Sequence, residues 1–369
     1  MPNTKISPLQ LMVIIALGVM GDSTIVLLYI PAKEAMQDAW ISGLISLFTG
    51  IILTFFFHSF HKRFPNETYI ETSSKLFGKW IGGAVSASFL FYLIISMGAH
   101  VRELGIIIRT DILTDTPLLP LHTIFIAIVI MGVRMGLETI ARTGEIIFPW
   151  IMLMTLLLFF MLIPASNGDN LLPMFEYGWK PVLRGSLTFI AFPFLELAFL
   201  FMLLPSVTGK SIKKWMVIGT LVGGLALFFM MFFCITVLGP EVTSRQVYPA
   251  YTLSKKVHIG NFLERIEVLI GFIWISTNFI KVTLYFYATS LGLAQLFKLS
   301  SPKITTYPVG MLVLALSLFV TPNVTHYQYI IEKYWPFFDA TYGFLFPLIF
   351  ILIGWIKGRK KETKRTELM

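Results

Sequence analysis

Three charged residues, Asp22, Glu196 and Lys281, each interrupt a hydrophobic run that is long enough to cross a membrane. A charge at the centre of a spanning helix costs roughly 2.5–3.5 kcal/mol on insertion scales, so such residues face a bundle interior or a wet cavity. Two of them lie near helix breakers, because Gly21 precedes Asp22 and Pro193 lies three residues before Glu196. Broken helices with buried polar groups at mid-depth are typical of transporter folds. The pattern therefore predicts a small-solute site inside a helical membrane bundle.

The composition is that of an integral membrane protein. Hydrophobic residues make up 56% of the chain and charged residues 13%, and the mean hydropathy is +0.77, whereas soluble domains carry about 25% charged residues. The net charge of +9 comes from Lys and Arg in loops and in the tail, which indicates membrane orientation rather than nucleic-acid binding. The single cysteine, Cys234, excludes a disulfide framework and a cysteine metal cluster.

Ten hydrophobic runs reach spanning length, since about 20 apolar residues cross the hydrocarbon core. The first run is too long for a signal-peptide core and no small-residue cleavage site follows it, so we expect a retained helix. The third and eighth runs are the longest, which predicts strongly tilted helices. The predicted spans are about 9–30, 40–60, 80–109, 118–133, 145–164, 183–204, 214–238, 267–297, 305–321 and 335–356.

Features of these spans repeat after five helices. Spans 1 and 6 are each interrupted and end at a proline, Pro31 and Pro205, and spans 3 and 8 are the two long ones. Because five is odd, the second half enters the membrane from the opposite side, and the repeat is inverted. We therefore predict an all-α fold with broken helices 1 and 6 in a single transmembrane domain. Repeat 1 covers about 9–164, repeat 2 about 183–356, and a basic cytoplasmic tail covers 357–369.

The interruption of span 1 suits an anionic ligand group. Gly21 tolerates unusual backbone angles, and Asp22 and Ser23 bond to their own backbone, so all three favour local unwinding. Unwinding frees amide N–H groups that attract a carboxylate. The alternative is that these small residues form a packing face for a neighbouring helix.

The interruption of span 6 suits a cation. Pro193 frees backbone carbonyls, and together with Glu196 they form a negative pocket for an ammonium group. Phe192 and Phe194 are candidates for its walls or for a cation–π contact. A proline kink without a ligand is the alternative.

Spans 8 and 3 supply the remaining polar groups. Thr277 and Lys281 share a helical face, and Lys281 either neutralises Glu196 or Asp22 or takes the place of a coupling cation. The structural alternative is a buried ion pair that fixes packing. In span 3 the polar residues Ser96, His100 and Glu103 form one stripe, in which the histidine is a core residue, a proton switch or a ligand.

No signature of catalysis accompanies these groups. The sequence has no metal-ligand spacing, no glycine-rich phosphate loop and no nucleophile elbow. We therefore expect neither an enzyme nor a cofactor.

Four stretches resemble the B subunits of spore germinant receptors, and the resemblance runs from Ile6 to the basic tail. The most specific stretch is Gly136–Pro149, in which Gly136-Leu-Glu138-Thr-Ile-Ala141-Arg142-Thr-Gly-Glu145 precedes Ile-Ile-Phe148-Pro149. The others are Gly21-Asp22-Ser23 with Pro31 and residues 34–42, Arg63-Phe64-Pro65, and Leu171-Leu172-Pro173.

The resemblance implies a fold similar to the amino-acid/polyamine/organocation transporters, with a leucine-transporter-like five-plus-five inverted repeat. It also implies residence in the inner membrane of bacterial endospores, beside an A subunit and a lipoprotein C subunit. The ligand expected from it is a nutrient such as an amino acid, sugar or nucleoside, held between spans 1, 3, 6 and 8. By position, the corresponding residues are Gly21, Asp22, Ser23, Tyr92, Ser96, His100, Phe192, Phe194, Glu196, Thr277 and Lys281.

Two functions remain open from the sequence. One is a receptor subunit in which nutrient binding shifts a conformational equilibrium that partner subunits read. The other is a proton-coupled amino-acid or amine transporter, in which Asp22 or Glu196 carries the proton.

The distribution of basic residues predicts that both termini are cytoplasmic. Of the 29 Lys and Arg residues, 18 then lie in cytoplasmic segments, nine lie outside, and Arg102 and Lys281 lie within spans; positive residues accumulate on the cytoplasmic side. A reporter enzyme fused after Lys361 should score as cytoplasmic. An external signal from that fusion would contradict the predicted topology.

Overall fold

The computed structural model describes residues 5–112, 115–256, 267–321 and 323–366. Within these ranges the chain is helical, and its only extended pairing is an isolated bridge between Ile6 and Val207. The helices are α1 Pro8–Met20, α2 Ser23–Val26, α3 Tyr29–Ala35, α4 Ala39–Arg63, α5 Tyr69–Ile107, α6 Leu118–Met135, α7 Leu137–Leu162, α8 Trp179–Phe194, α9 Leu200–Leu203, α10 Ile212–Phe233, α11 Pro240–Arg245, α12 Pro249–Ser254, α13 Glu267–Leu296, α14 Thr306–Phe319, α15 Val324–Lys333, α16 Trp335–Ala340 and α17 Phe346–Thr366.

These helices make the chain a multi-pass membrane protein. In the described ranges, nine helical segments are long and apolar enough to span a membrane, and a tenth is counted if α14 and α15 are taken together. The predicted ninth span is the short helix α14, after which the chain turns by 105° into α15. The side chains of the predicted basic tail beyond Lys357 lie outside the described residues.

Local sequence signals explain where two of the helices begin. Ser7 caps α1 in a reciprocal capping box with Gln10, and Pro8 occupies the first turn, where its missing N–H is not needed. Thr68 caps α5 in the same way with Glu71. Inside α5 the backbone leaves helical geometry at Gly78, with φ 79° and ψ −176°. The membrane-spanning part therefore begins after Gly78, close to the predicted boundary at residue 80.

The fifth span begins earlier than its hydrophobicity predicts. The stretch that most resembles germinant receptors lies almost entirely within α7, which starts at Leu137 rather than near residue 145. Gly136, at φ 97°, separates α6 from α7 with a sharp turn. The extra helix forms because Leu137, Ile140, Ala141 and Gly144 are buried at helical spacing, although polar residues lie between them.

Spans 1 and 6 are broken, as predicted. In span 1, α1 ends at Met20, and Gly21 and Asp22 separate it from the single turn α2. In span 6, α8 ends just after Pro193 and continues as a 3₁₀ segment, Leu195–Phe199, before α9. Both breaks lie in fully buried segments of the bundle.

Helix α1 is the central element, packed against α7, α10 and α13. Its approach to α10 depends on two glycines four residues apart, as in small-residue interfaces of membrane helices. A Cβ atom on Gly219 would lie 2.5 Å from the carbonyl oxygen of Met12, and one on Gly223 would lie 2.7 Å from that of Ala16. These glycines therefore allow the two backbones to come into contact.

We expect Gly219→Ala to separate α1 from α10 and to destabilise the bundle by about 1–3 kcal/mol, the usual cost of overpacking. The measurement is the apparent Tm of the detergent-solubilised protein. Gly83→Ala is the matched control, since a Cβ at Gly83 meets nothing within 4 Å. Equal effects of the two changes would contradict the proposed contact.

Candidate functional site

The two helix breaks meet α5 and α13 at a buried cluster of four ionisable side chains. Asp22 comes from the break in span 1, Glu196 from the 3₁₀ segment of span 6, His100 from α5 and Lys281 from α13. The most exposed of them, Asp22, is only 3% accessible, and Glu196 and Lys281 are 0% accessible. The cluster is therefore closed to solvent on all sides. We refer to these four residues as the charge cluster.

Lys281 lies at the centre of the charge cluster. Its Nζ atom is 2.5 Å from Oδ1 of Asp22 and also forms an ion pair with Oε2 of Glu196. The prediction that Lys281 pairs with one of these carboxylates is confirmed, and the structure shows both contacts at once. A buried charge without a partner is strongly destabilising, so each of these groups depends on the others.

His100 completes the charge cluster. Its Nδ1 is 3.7 Å from Oδ2 of Asp22, and its Nε2 is 3.4 Å from Oε2 of Glu196. With both carboxylates ionised, the cluster is neutral if His100 is protonated and carries one negative charge if it is not. The imidazole therefore sets the net charge of a site that is isolated from water.

The same acids and histidine are close enough to coordinate a metal ion, because one ligand atom from each of Asp22, His100 and Glu196 lies within 4.8 Å of the others. The Lys281 ammonium contacts both carboxylates. It therefore takes the position that a bound cation would need.

Helix α13 also satisfies backbone carbonyls near both breaks. An unpaired buried carbonyl is costly, and four polar side chains of α13 donate hydrogen bonds to such groups. The pairs are Thr277 Oγ1 to Gly21 O at 3.2 Å, Trp274 Nε1 to Asp22 O at 3.3 Å, Tyr285 OH to Glu196 O at 2.6 Å and Lys281 Nζ to Phe192 O at 3.5 Å. The polar side chains of span 8 thus supply the hydrogen-bond donors that the irregular backbone of spans 1 and 6 requires.

Gly21 makes room for this lysine. Its φ of 20° is rarely adopted by other residues, and a Cβ atom there would lie 2.5 Å from Cδ of Lys281. The glycine is therefore needed both for the turn and for the passage of the lysine side chain toward Asp22.

The pocket predicted for a ligand ammonium is already filled. The prediction combined Glu196 with backbone carbonyls freed by Pro193, and in the structure Glu196 and the Phe192 carbonyl both contact the ammonium of Lys281. An external ammonium group must displace Lys281 to reach these oxygens.

The other predicted site residues are buried, but they differ in their surroundings. Ser23 and Ser96 are fully buried, and among the described residues their hydroxyl groups have no hydrogen-bond partner. Tyr92 donates a hydrogen bond to Asp339 Oδ1 at 3.1 Å. The ring of Phe194 packs against Gly50 on α4 and Gly224 on α10, so its side chain lies against the scaffold.

Sequence reasoning missed two residues of span 10. Trp335 donates a hydrogen bond from Nε1 to Oε1 of Glu196 at 2.9 Å, and Asp339 lies one turn further along. Asp339 was detectable as an acid near the start of a hydrophobic run. Tyr285 was also detectable, because it follows Lys281 by four residues on the same face of α13.

Lys281→Met should leave two buried carboxylates uncompensated, and we expect a loss of about 3–5 kcal/mol, the usual cost of breaking a buried pair. Adding Asp22→Asn and Glu196→Gln should restore most of the apparent Tm, because no unpaired charge then remains. Lys33→Met is the control: it removes the partly exposed Lys33–Glu332 pair, which is worth about 0–1 kcal/mol. Simple addition of the effects would show that the three groups are independent.

Comparison with solved structures identifies the fold. A closed form of Mhp1, a nucleobase-cation-symport-1 family transporter with bromovinylhydantoin bound, matches with a TM-score of 0.70 over 95% of this chain and 78% of that one, at 12% identity. MhsT in complex with L-phenylalanine matches with a TM-score of 0.68 over 96% and 99%, at 13% identity. The chain therefore has the leucine-transporter-like fold that was predicted.

Comparison with known sequences is more specific. The chain is 28% identical to spore germination protein KB of Bacillus subtilis, over 100% of this chain and 99% of that protein. It is 30% identical to spore germination protein YndE of the same species over 80% and 82%, and 23% identical to spore germination protein XB of Bacillus anthracis over 94% and 98%. The family model described as "Spore germination protein" matches residues 5–325. The chain belongs to the spore germination protein family.

Proposed function

We propose that this protein is the nutrient-sensing B subunit of a spore germinant receptor. It binds a small nutrient at mid-membrane and signals to an A subunit and a lipoprotein C subunit in the spore inner membrane, with both termini cytoplasmic. Membership of the spore germination family supports the process, and the transporter fold supports the binding of a small molecule. The relatives are germination proteins and the structural neighbours are transporters, rather than enzymes.

The observation that carries this proposal is the closed charge cluster at the junction of the two broken helices. A scaffold that only needed to pack would gain as much from apolar residues, since buried ion pairs are often neutral or destabilising relative to them. Ser23 follows Asp22 in the chain, and Ser96 lies one turn before His100. Both have buried hydroxyl groups that lack a hydrogen-bond partner among the described residues. Buried polar groups without partners are rare in native structures, and here they offer hydrogen bonds to a polar ligand.

The charges of the site indicate the class of ligand. The site holds both carboxylates and an ammonium group, so it matches a zwitterion or an uncharged polar nutrient better than a simple ion. MhsT holds L-phenylalanine in the same fold, which is consistent with an amino acid here. A ligand carboxylate has Lys281 as its partner, and a ligand ammonium has Asp22 or Glu196 once Lys281 moves.

Exchange of partners at Lys281 also explains how binding becomes a signal. In the closed site, Lys281 connects α13 to the breaks of both span 1 and span 6. A ligand that takes over one of these contacts binds more tightly to the state in which Lys281 has released that carboxylate than to the closed state. That differential affinity shifts the conformational equilibrium, and the partner subunits then read the position of the broken helices.

A proton-coupled amino-acid or amine transporter is the second candidate. The observation that favours it is the position of His100 between Asp22 and Glu196, where uptake of a proton changes the charge of a closed site. Uptake of a labelled nutrient into proteoliposomes that contain only this chain would support transport over sensing.

Glu196→Gln should weaken or abolish the germination response. The change keeps an acceptor for Trp335 but removes the carboxylate to which a ligand ammonium would bind. A hydrogen bond to a charged group is worth about 1.5–3 kcal/mol, so the half-effective nutrient concentration should rise roughly 10- to 100-fold. The measurement is germination of variant spores over a nutrient dose series, with immunoblotting to confirm normal membrane levels.

Glu241→Gln is the matched control, since Glu241 is an exposed residue of α11 whose charge faces solvent. Its dose response should equal that of the parent spores. An unaltered response in Glu196→Gln spores would make Glu196 a structural residue and place the nutrient site elsewhere.

A further inference from the structure

A second acidic centre lies next to the charge cluster. Asp339 on α16 is 0% accessible, and its Oδ1 accepts a hydrogen bond from the hydroxyl of Tyr92 at 3.1 Å. Its other oxygen, Oδ2, has no hydrogen-bond partner among the described residues. Within the ranges that the structure describes, no Lys, Arg or His nitrogen lies within 4.0 Å of this carboxyl group.

The contrast with Glu196 is informative. The Glu196 carboxylate has an ammonium partner, Lys281, and an N–H donor, Trp335. Asp339 has one neutral donor, and the nearby ammonium of Lys281 is already held by two other carboxylates. An ionised carboxylate in such an environment is strongly disfavoured, whereas a neutral carboxylic acid is tolerated.

We propose that Asp339 is a proton-binding site, separate from the charge cluster, whose carboxyl group holds a proton at neutral pH. The ligand is the proton itself. Its binding forms one O–H bond on the carboxyl group and removes one negative charge from the layer between α5, α13 and α16. The proposal does not depend on which nutrient the protein senses.

Two routes connect this site to the charge cluster, one through tyrosine hydroxyl groups and one along helix α16. Tyr92 interacts with the hydroxyl of Tyr285, and Tyr285 donates a hydrogen bond to the backbone carbonyl of Glu196 at 2.6 Å. On the other route, Trp335 lies one turn before Asp339 on α16 and donates to the Glu196 side chain. The titratable and charged groups that face Asp339 are Tyr92, Tyr285, Glu196, Lys281 and Asp22.

Through this connection, the proton on Asp339 affects the ion pairs of the charge cluster. An ionised Asp339 would add a negative charge beside Glu196 and compete with it for the single ammonium of Lys281. With the proton in place, Lys281 remains between Asp22 and Glu196. The proton on Asp339 therefore favours the closed arrangement of the two broken helices.

Infrared spectroscopy of the purified full-length protein tests the proposal directly. A protonated carboxyl group has a C=O stretching band that shifts in D₂O, and a maltoside detergent contributes no ester carbonyl to that region. Asp339→Asn should remove one such contribution at neutral pH. Asp169→Asn is the matched control, since Asp169 is exposed in the short 3₁₀ segment Gly168–Leu171, and its spectrum should keep the whole carboxylic-acid band.

A second variant covers the case in which Asp339→Asn does not assemble. Tyr92→Phe removes the hydrogen bond to Oδ1, so part of the carboxylic-acid band should move to higher frequency while the protein stays folded. Loss of carboxylate rather than carboxylic-acid absorption in Asp339→Asn would overturn the proposal. An unchanged carboxylic-acid band in Tyr92→Phe would overturn it as well.

Discussion

The contact of one ammonium group with two carboxylates is the interaction on which the rest of the structure depends. Lys281 reaches from α13 to Asp22 and Glu196, and these acids belong to the two helices that are interrupted at mid-depth. In a bilayer none of the three charges is tolerable alone. Their pairing therefore determines how the two broken helices are placed relative to α13.

The helix breaks and span 8 form a single structural unit. Breaking a helix within the membrane exposes carbonyls that water cannot reach, and irregular backbone is tolerated there only where protein groups satisfy it. Thr277, Trp274 and Tyr285 provide these donors from one helix. Gly21 lets the lysine side chain pass between these groups, because a Cβ atom there would lie 2.5 Å from Cδ of Lys281.

The function of this unit does not follow from the transporters that share its fold. Those neighbours are about 12–13% identical to it, so the fold indicates where a ligand is expected but not what the site does. Here the centre of the fold carries a tethered cation, together with a histidine that sets the charge of a closed cluster. This internal pairing, together with family membership, is the basis of the proposed sensing role.

The hydrophobic runs determined the fold class, nine of the ten predicted spans and the positions of the two breaks, because burial of apolar side chains in lipid and the geometry of glycine and proline are local properties. They also identified Asp22, Glu196 and Lys281, since a charge in a spanning run is costly unless it faces the bundle interior or a cavity. Hydrophobicity could not place the start of α7, where residues buried at helical spacing, with polar residues between them, form helix outside the apolar run. Only the tertiary structure decided that Lys281 contacts both acids and so fills the pocket predicted for a ligand ammonium. It also decided that the Phe194 ring packs against the scaffold, and that Asp339 and Trp335 join the site from span 10.

These outcomes depend on which faces of distant helices meet. That is set by packing contacts such as those of Gly219 and Gly223 rather than by the residues of any one span.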